Sequence, residues 1–190
     1  MSMADLRAQD SYNFPIDRCN SESERKSLAL GHKRVIYLFF NFASCLTGYT
    51  LLKADLILFK LPFAVFDIDK NIDSHNPANQ YVLYPLLELF SASNSMFVPP
   101  AIDYSRGLRF EYPCCESYTK IDVTQIVQDW SQSKLENNGL LLMSSDTSPY
   151  VFYASNQYQI LGMRPFIRLK YENTPPAGLL RSVPCDVKIV

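Results

Sequence analysis

The chain has 190 residues and a net charge of −1 at pH 7, which fits one domain and gives no basic surplus for binding nucleic acid. Hydrophobic residues make up 47% of it and charged residues 19%, a composition typical of globular proteins rather than disordered ones. The most apolar run, residues 35–42, is too short to span a membrane. The first residues include acids and lack the apolar segment of a signal peptide, so we expect no leader.

The predicted elements, taken in chain order, are almost all β-strands. Residues 1–9 are predicted to form an N-terminal arm, with a first short strand at SYNFPI. Eight further runs are rich in β-branched and aromatic residues and are separated by turn residues. They are RVIYLFFNF, TLLKADLILFKL, YVLYPLLELF, LRFEYP, ESYTKIDV, GLLLMSS, YVFYAS and PFIRLKYE. This spacing, without long helices between strands, predicts an all-β, jelly-roll-like antiparallel β-sandwich over residues 10–172.

The run TLLKADLILFKL has apolar residues on both of its faces. Ala54, Leu56 and Leu58 share one face, and Asp55 and Ile57 point to the other. We therefore expect this strand to be covered on both sides.

Residues 173–190 are predicted to form an extended C-terminal tail outside the domain. The adjacent Pro175 and Pro176 exclude a helix there. The last residues, CDVKIV, alternate so that Val187 and Ile189 fall on one face, as in a strand.

One short amphipathic helix is predicted at about residues 122–131. Its apolar residues recur at i, i+3, i+4 and i+7, which places them on one helix face. They are Val123, Ile126, Val127 and Trp130. A helix this short needs packing to be stable, so we expect Trp130, the only tryptophan, to close one end of the sandwich. Asp122 is the predicted N-cap, with Gln125 completing a capping box.

The segments DVTQIVQDW, NNGLLLMSS, FYASN and RPFIRLKY resemble the C-terminal half of the DNRLRE (disaggregatase-related) domain family. Upstream, LALGHKRVIYLFFNF and LLKADLILF resemble two of its earlier strands, so that the resemblance covers about residues 10–172. It implies a jelly-roll-like sandwich similar to carbohydrate-binding modules, some with acidic polysaccharide as ligand, others in surface proteins. The chain departs from that family in having cysteines near both ends, and we expect neither a signal nor an attached enzyme.

An acidic stretch has the alternating oxygen ligands of a calcium loop. The residues in question are Asp67, Asp69, Asn71 and Asp73. Ile72 stands where such a loop needs Gly, and Ala78 where it needs Glu, so a solvated loop is the favoured interpretation. We expect no metal and no cofactor.

Catalytic residues are not indicated by any cluster in the sequence. His32 and His75 have no neighbouring nucleophile, and nothing brings Asp103, Glu111 and Glu116 together as a glycosidase pair would require. We expect a protein that is not an enzyme.

Tyrosine is abundant, with 12 residues, and exposed tyrosines could stack on sugars. A packed strand surface or a protein interface needs the same residue type, so both interpretations stay open. The candidates for sugar stacking are Tyr104, Tyr112, Tyr118 and Tyr153, with Tyr150 and Tyr158 in addition.

The odd number of cysteines, five, leaves at least one without a partner in its own chain. Cys19 and Cys185 are candidates for an intermolecular disulfide. Together with the tail, they favour a non-catalytic structural subunit of a spore coat, spore appendage or similar filament, at a spore or cell surface. The alternative is a carbohydrate-binding, adhesive module that recognises a polysaccharide.

Overall fold

The computed structural model describes residues 2–15, 26–31, 34–42, 49–62, 80–89, 99–111, 116–145, 148 and 150–173. These residues form strands, one α-helix and two single-turn 3₁₀ helices, at Tyr104–Arg106 and Leu161–Met163. The larger elements are β1 (Ser2–Pro15), β2 (Ser27–Leu30), β3 (Arg34–Phe40), β4 (Tyr49–Phe59), β5 (Tyr81–Pro85), β6 (Leu108–Phe110), β7 (Tyr118–Asp122), α1 (Thr124–Ser131), β8 (Leu140–Ser144), β9 (Val151–Ala154) and β10 (Phe166–Asn173).

Eight of these strands form one antiparallel sheet in the order β6-β5-β8-β3-β1-β10-β4-β7. The remaining two, β2 and β9, pair with each other. The predicted all-β class with one short helix is therefore confirmed, and the sheet folds over on itself as a sandwich does.

The sheet folds over at strand β1, because β1 belongs to both layers of the sandwich. Its first half pairs with β10, and its second half pairs with β3. The register shifts between Ala8 and Asp10, which is a β-bulge, and bulges bend a strand. We call β1 (first half), β10, β4 and β7 layer 1, and β1 (second half), β3, β8, β5 and β6 layer 2.

The small β2–β9 sheet links the two layers and also contacts β1, where Asn13 exchanges hydrogen bonds with the backbone of Ala29. Tyr153 of β9 forms a bridge with Lys60, just after β4, and the Leu61 N–H donates to the Phe152 carbonyl at 2.8 Å. Gly31, after β2, forms a bridge with Arg34 at the start of β3. The sheet is thereby nearly closed.

The core lies between the layers and takes alternate residues from each strand. Layer 1 contributes Ala54, Leu56 and Leu58, and layer 2 contributes residues such as Leu38 and Leu142, all fully buried. The alternation inward and outward follows from the two-residue repeat of a strand. The opposite face of layer 1, which points away from this core, is called the outer face below.

Helix α1 follows β7 and packs on the core beside β4, with its predicted apolar face inward. Val123, Ile126, Val127 and Trp130 all lie in the same core cluster. The Trp130 ring meets Phe42 edge to face, with 5.8 Å between ring centroids.

The capping of α1 differs from the prediction. The helix begins at Thr124, its N-cap is Val123, and no side chain caps it. Asp122 instead accepts hydrogen bonds from the Thr124 N–H and hydroxyl, and Gln125 donates to Asp129 rather than back to Asp122. The predicted capping box is therefore wrong, because Asp122 is still the last residue of β7 and lies one position too early.

The predicted N-terminal arm, residues 1–9, is corrected by the structure. Residues 2–9 are the first part of β1, hydrogen-bonded in the middle of the sheet. A polar strand fits there because its alternate residues point to the outer face. At the other end, β10 runs to Asn173, and residues 174–190 of the predicted tail lie outside the described residues.

Candidate functional site

A row of four charged residues crosses the outer face of layer 1, one from each strand. Asp5 on β1 lies opposite Arg168 on β10. Arg168 lies opposite Asp55 on β4, and Asp55 lies opposite Asp122 on β7. Directly opposite residues in antiparallel strands share one face and are close enough to interact. We call these four residues the charged row.

Arg168 forms the best-defined ion pair of the charged row. Its Nε and Nη2 atoms donate to the two carboxylate oxygens of Asp5 at 2.9 and 3.0 Å. This hydrogen bonding raises the pKa of Arg168 above its ordinary value, and the charges of Asp5 and Asp55 act in the same direction. The guanidinium also lies over the Phe166 ring, 5.2 Å from its centroid, a cation–π contact.

Asp55 is buried although it belongs to the outer face, with only 3% of its surface exposed. Lys53 Nζ lies 3.5 Å from its Oδ1 atom, and Lys120 Nζ lies 3.4 Å from its Oδ2 atom. Oδ1 accepts no hydrogen bond from any described residue despite the nearby ammonium. Because a buried carboxylate is costly without a partner, the two ion pairs offset part of the cost of burying Asp55.

Asp122 faces Asp55 across the strand pair, an arrangement of like charges that is unfavourable unless a cation lies between them. Lys53 Nζ is that cation, 3.9 Å from Asp122 Oδ2. Burial raises the pKa of Asp122, but the hydrogen bonds from Thr124 and the charges of Lys53 and Lys120 outweigh it. The pKa therefore lies below its ordinary value.

An aromatic group borders the charged row on the same face. The Phe59 ring lies 5.8 Å from Tyr118 and 6.4 Å from Phe166, centroid to centroid. Tyr118 is the exposed member, with 36% of its surface accessible. Among the predicted sugar-stacking residues that the structure describes, it is the one on the same face as the charged row.

Strand β7 is the last strand of layer 1, and β4 is its only strand neighbour in the described part of the chain. Two hydrogen bonds, each 2.9 Å, join the ends of this pair: the Lys60 N–H donates to the Ser117 carbonyl, and the Val123 N–H donates to the Ala54 carbonyl. Bonded pairs recur at every second residue of an antiparallel ladder. The odd-numbered residues from 117 to 123 therefore bond to β4.

The even-numbered residues of β7 consequently direct their backbone N–H and C=O groups away from β4. They are Tyr118, Lys120 and Asp122. Such a row of backbone groups is a template on which another strand can add. We call it the β7 edge.

A second exposed aromatic residue, Tyr104, lies on layer 2 rather than beside Tyr118. It is 74% exposed and meets Tyr84 edge to face, with 5.4 Å between centroids. Tyr104 and Tyr118 thus belong to different aromatic groups and do not form one platform.

Arg106 holds the 3₁₀ turn of Tyr104 against α1. It pairs with Asp103, and its Nε atom donates to Asp129 Oδ2 at 3.1 Å. Mainly because of a hydrogen bond from the Ser105 hydroxyl, and also because of Arg106, the pKa of Asp103 lies below its ordinary value. Since Arg106 is engaged by two carboxylates, this contact is structural.

Tyr153 cannot stack on a sugar, which corrects that prediction. It is fully buried, and its hydroxyl is 2.9 Å from the Thr119 hydroxyl. The alternation of YVFYAS did not show which of its two faces is the interior one. Tyr112 lies outside the described residues.

Several predicted features cannot be placed because they lie outside the described residues. They are the acidic loop with Asp67, Asp69, Asn71 and Asp73, all five cysteines including Cys19 and Cys185, and the tail from residue 174. Within the described part of the chain, no three His, Cys, Asp or Glu residues are grouped so that they could hold a metal ion. The helices described there are also too short or too polar to cross a membrane.

The charged row was not predicted from the sequence. The motif KADLILF does place Lys53, Asp55 and Ile57 on one face of a strand, which was the available signal. The opposing Asp5 and Arg168 come from distant parts of the chain, and only strand pairing brings them to Asp55.

Comparison with known proteins adds no relative. No protein-family model matches the chain, and no curated protein matches it significantly. The resemblance to the DNRLRE domain therefore stays a prediction.

Proposed function

We propose that the chain is a non-catalytic structural subunit that associates with further copies of itself by strand addition at the β7 edge. The cysteines near both ends and the C-terminal tail support a spore or cell surface as the setting of such a subunit. The observation that carries the proposal is the row of outward backbone groups on Tyr118, Lys120 and Asp122.

The length and composition of β7 favour strand addition there. It offers five residues, whereas β6, at the opposite edge of the sheet, offers three. Its inward-facing residues, Thr119 and Ile121, are buried. A strand added to β7 would therefore need an apolar inner side and a polar outer side. The segment 185–190, CDVKIV, has this alternation and is the strand of a second copy that we assign to the edge.

The decisive experiment compares Lys120→Pro with Lys120→Val. Both variants remove the ammonium group, but only proline removes the N–H. That N–H points to the β7 edge, so neither change breaks a hydrogen bond to β4. Sedimentation velocity over a range of concentrations, under reducing conditions, measures association without the contribution of disulfides.

We expect Lys120→Val to associate at least as well as the parent. Lys120→Pro should associate up to about tenfold more weakly, since one lost hydrogen bond costs about 0.5–1.5 kcal/mol. Equal association of the two variants, or a parent that is monomeric at all concentrations, would contradict the proposal. Deleting residues 174–190 tests the donor strand: its loss should abolish association, and retained association would show that another strand of the second copy occupies the edge.

Polysaccharide binding is the second candidate, and Tyr118 is the observation that favours it. Its exposed ring lies beside Phe59, on the same face of layer 1 as the charged row. Titration with an acidic polysaccharide should show binding that Tyr118→Ala abolishes and Tyr104→Ala leaves unchanged, because Tyr104 lies on layer 2. Binding that survives Tyr118→Ala would contradict this site.

A further inference from the structure

Lys120 has a side chain that ordinarily protects a sheet edge. Lysines at the centre of edge strands discourage the addition of a further strand, because pairing would crowd and desolvate the ammonium group. Lys120 is the third of the five residues of β7. By its position in the sequence, it should block the association proposed above.

The structure places the Lys120 ammonium group over the sheet and not at its edge. Lys120 Nζ is 3.4 Å from Asp55 Oδ2, and Asp55 belongs to β4, one strand further into layer 1. Adjacent strands are about 4.8 Å apart, so the side chain folds back across the outer face. The backbone groups of Lys120 still point to the β7 edge.

The surroundings of Asp55 favour its ion pair with Lys120. The carboxylate is 97% buried, its Oδ1 atom accepts no hydrogen bond from a described residue, and Lys53 is its other cation. The nearby Arg168 is already bonded to Asp5. If Lys120 turned outward, a buried charge would lose one of its two ion pairs, which is unfavourable.

Asp122 does not offer Lys120 an equivalent position at the edge. One of its oxygens accepts the hydrogen bonds from Thr124, and the other is paired with Lys53. The two acidic groups therefore differ in role: Asp122 anchors the start of α1, and Asp55 determines where the Lys120 ammonium group lies.

We propose that Asp55 keeps the β7 edge open to a second copy by holding the Lys120 ammonium group over the outer face. The inference rests on the proposed function, since it concerns the same edge. Asp55 is in this sense a positioning residue, which touches no partner strand and acts through Lys120.

A double-mutant cycle tests this role. Asp55→Asn should weaken association up to about fivefold, the range of an unfavourable charge at a strand pair. Lys120→Met, which keeps an unbranched stem without charge, should associate as well as the parent. In the Lys120→Met background, Asp55→Asn should have no further effect, because no ammonium group is left to release.

A second pair of variants leaves Asp55 intact, in case Asp55→Asn fails to fold. Lys120→Glu introduces a carboxylate, which Asp55 repels, so that the side chain turns toward the β7 edge. Lys120→Gln is its neutral isostere. We expect weaker association for Lys120→Glu than for Lys120→Gln. Thermal melting of each variant serves as the control for folding.

The outcomes separate the two proposals. If Asp55→Asn weakens association equally with Lys120 and with Met at that position, Asp55 acts through the structure of β4 and the inference is overturned. It is also overturned if Lys120→Glu and Lys120→Gln associate alike. If instead Lys120→Pro and Lys120→Val associate alike, the β7 edge is not used at all and the proposed function itself fails.

Discussion

The two faces of layer 1 are built by alternate residues of the same strands, and they are stabilised in different ways. The inner face of β4 carries Ala54, Leu56 and Leu58, which are fully buried against layer 2. The outer face carries Lys53 and Asp55, which form ion pairs with Asp122 and Lys120 on the neighbouring strand β7. Burial alone therefore does not identify the core, because Asp55 is as buried as many apolar residues while it faces outward.

The largest expected effect is on the inner side, at Trp130. Trp130→Ala should lower the free energy of unfolding by about 3–5 kcal/mol, the usual cost of removing a large buried ring. Trp130→Phe should cost less, since the buried indole N–H has no hydrogen-bond partner among the described residues. Urea denaturation measures both.

The control for Trp130 is Met3→Ala on the outer face, because Met3 is 51% exposed. A change there should stay within about 0.5 kcal/mol. If Met3→Ala costs as much as Trp130→Ala, the inner and outer faces do not differ as the structure implies.

A smaller effect is expected on the outer face at Arg168. Arg168→Lys keeps the charge but loses the two-pronged bond to Asp5 and the planar contact with Phe166. Because this side chain is 44% exposed, the cost should be only about 0.2–1 kcal/mol. Denaturation at low and high salt should show the cost shrinking as salt is added.

The matched control for Arg168 is the reverse exchange at the next outward position of the strand, Lys170→Arg. It should change stability by less than about 0.5 kcal/mol. An equal loss in both variants would mean that the Asp5–Arg168 geometry contributes nothing of its own.

The smallest expected effect is the pH dependence of Asp122. Its folded pKa is lower than its ordinary value, so its contribution to stability is present above the unfolded pKa of about 3.9. That contribution is lost as the pH falls through the folded pKa. Asp122→Asn, whose Oδ1 atom still accepts from Thr124, should therefore show a shallower loss of stability below about pH 4 than the parent. Identical acid titrations would contradict this role.

The class of fold and the apolar face of the helix follow from local patterns in the sequence. Runs of β-branched and aromatic residues predicted all-β structure because strand patterning is local, and the spacing of Val123, Ile126, Val127 and Trp130 predicted their shared burial. The solvent exposure of an individual tyrosine could not be predicted from the sequence. Tyr118 and Tyr153 belong to similar apolar runs, but only Tyr153 is buried.

The position of β1, the charged row and the β7 edge depend on strand pairing between distant parts of the chain. Residues 2–9 look like a polar arm because half of a strand's residues face outward, and their pairing with β10 involves residues more than 150 positions away. Asp5, Asp55, Asp122 and Arg168 meet for the same reason. Which strand is last in a sheet depends on the order of pairing, which local patterning does not contain. The β7 edge, on which the proposed function depends, is therefore a property of the assembled sheet.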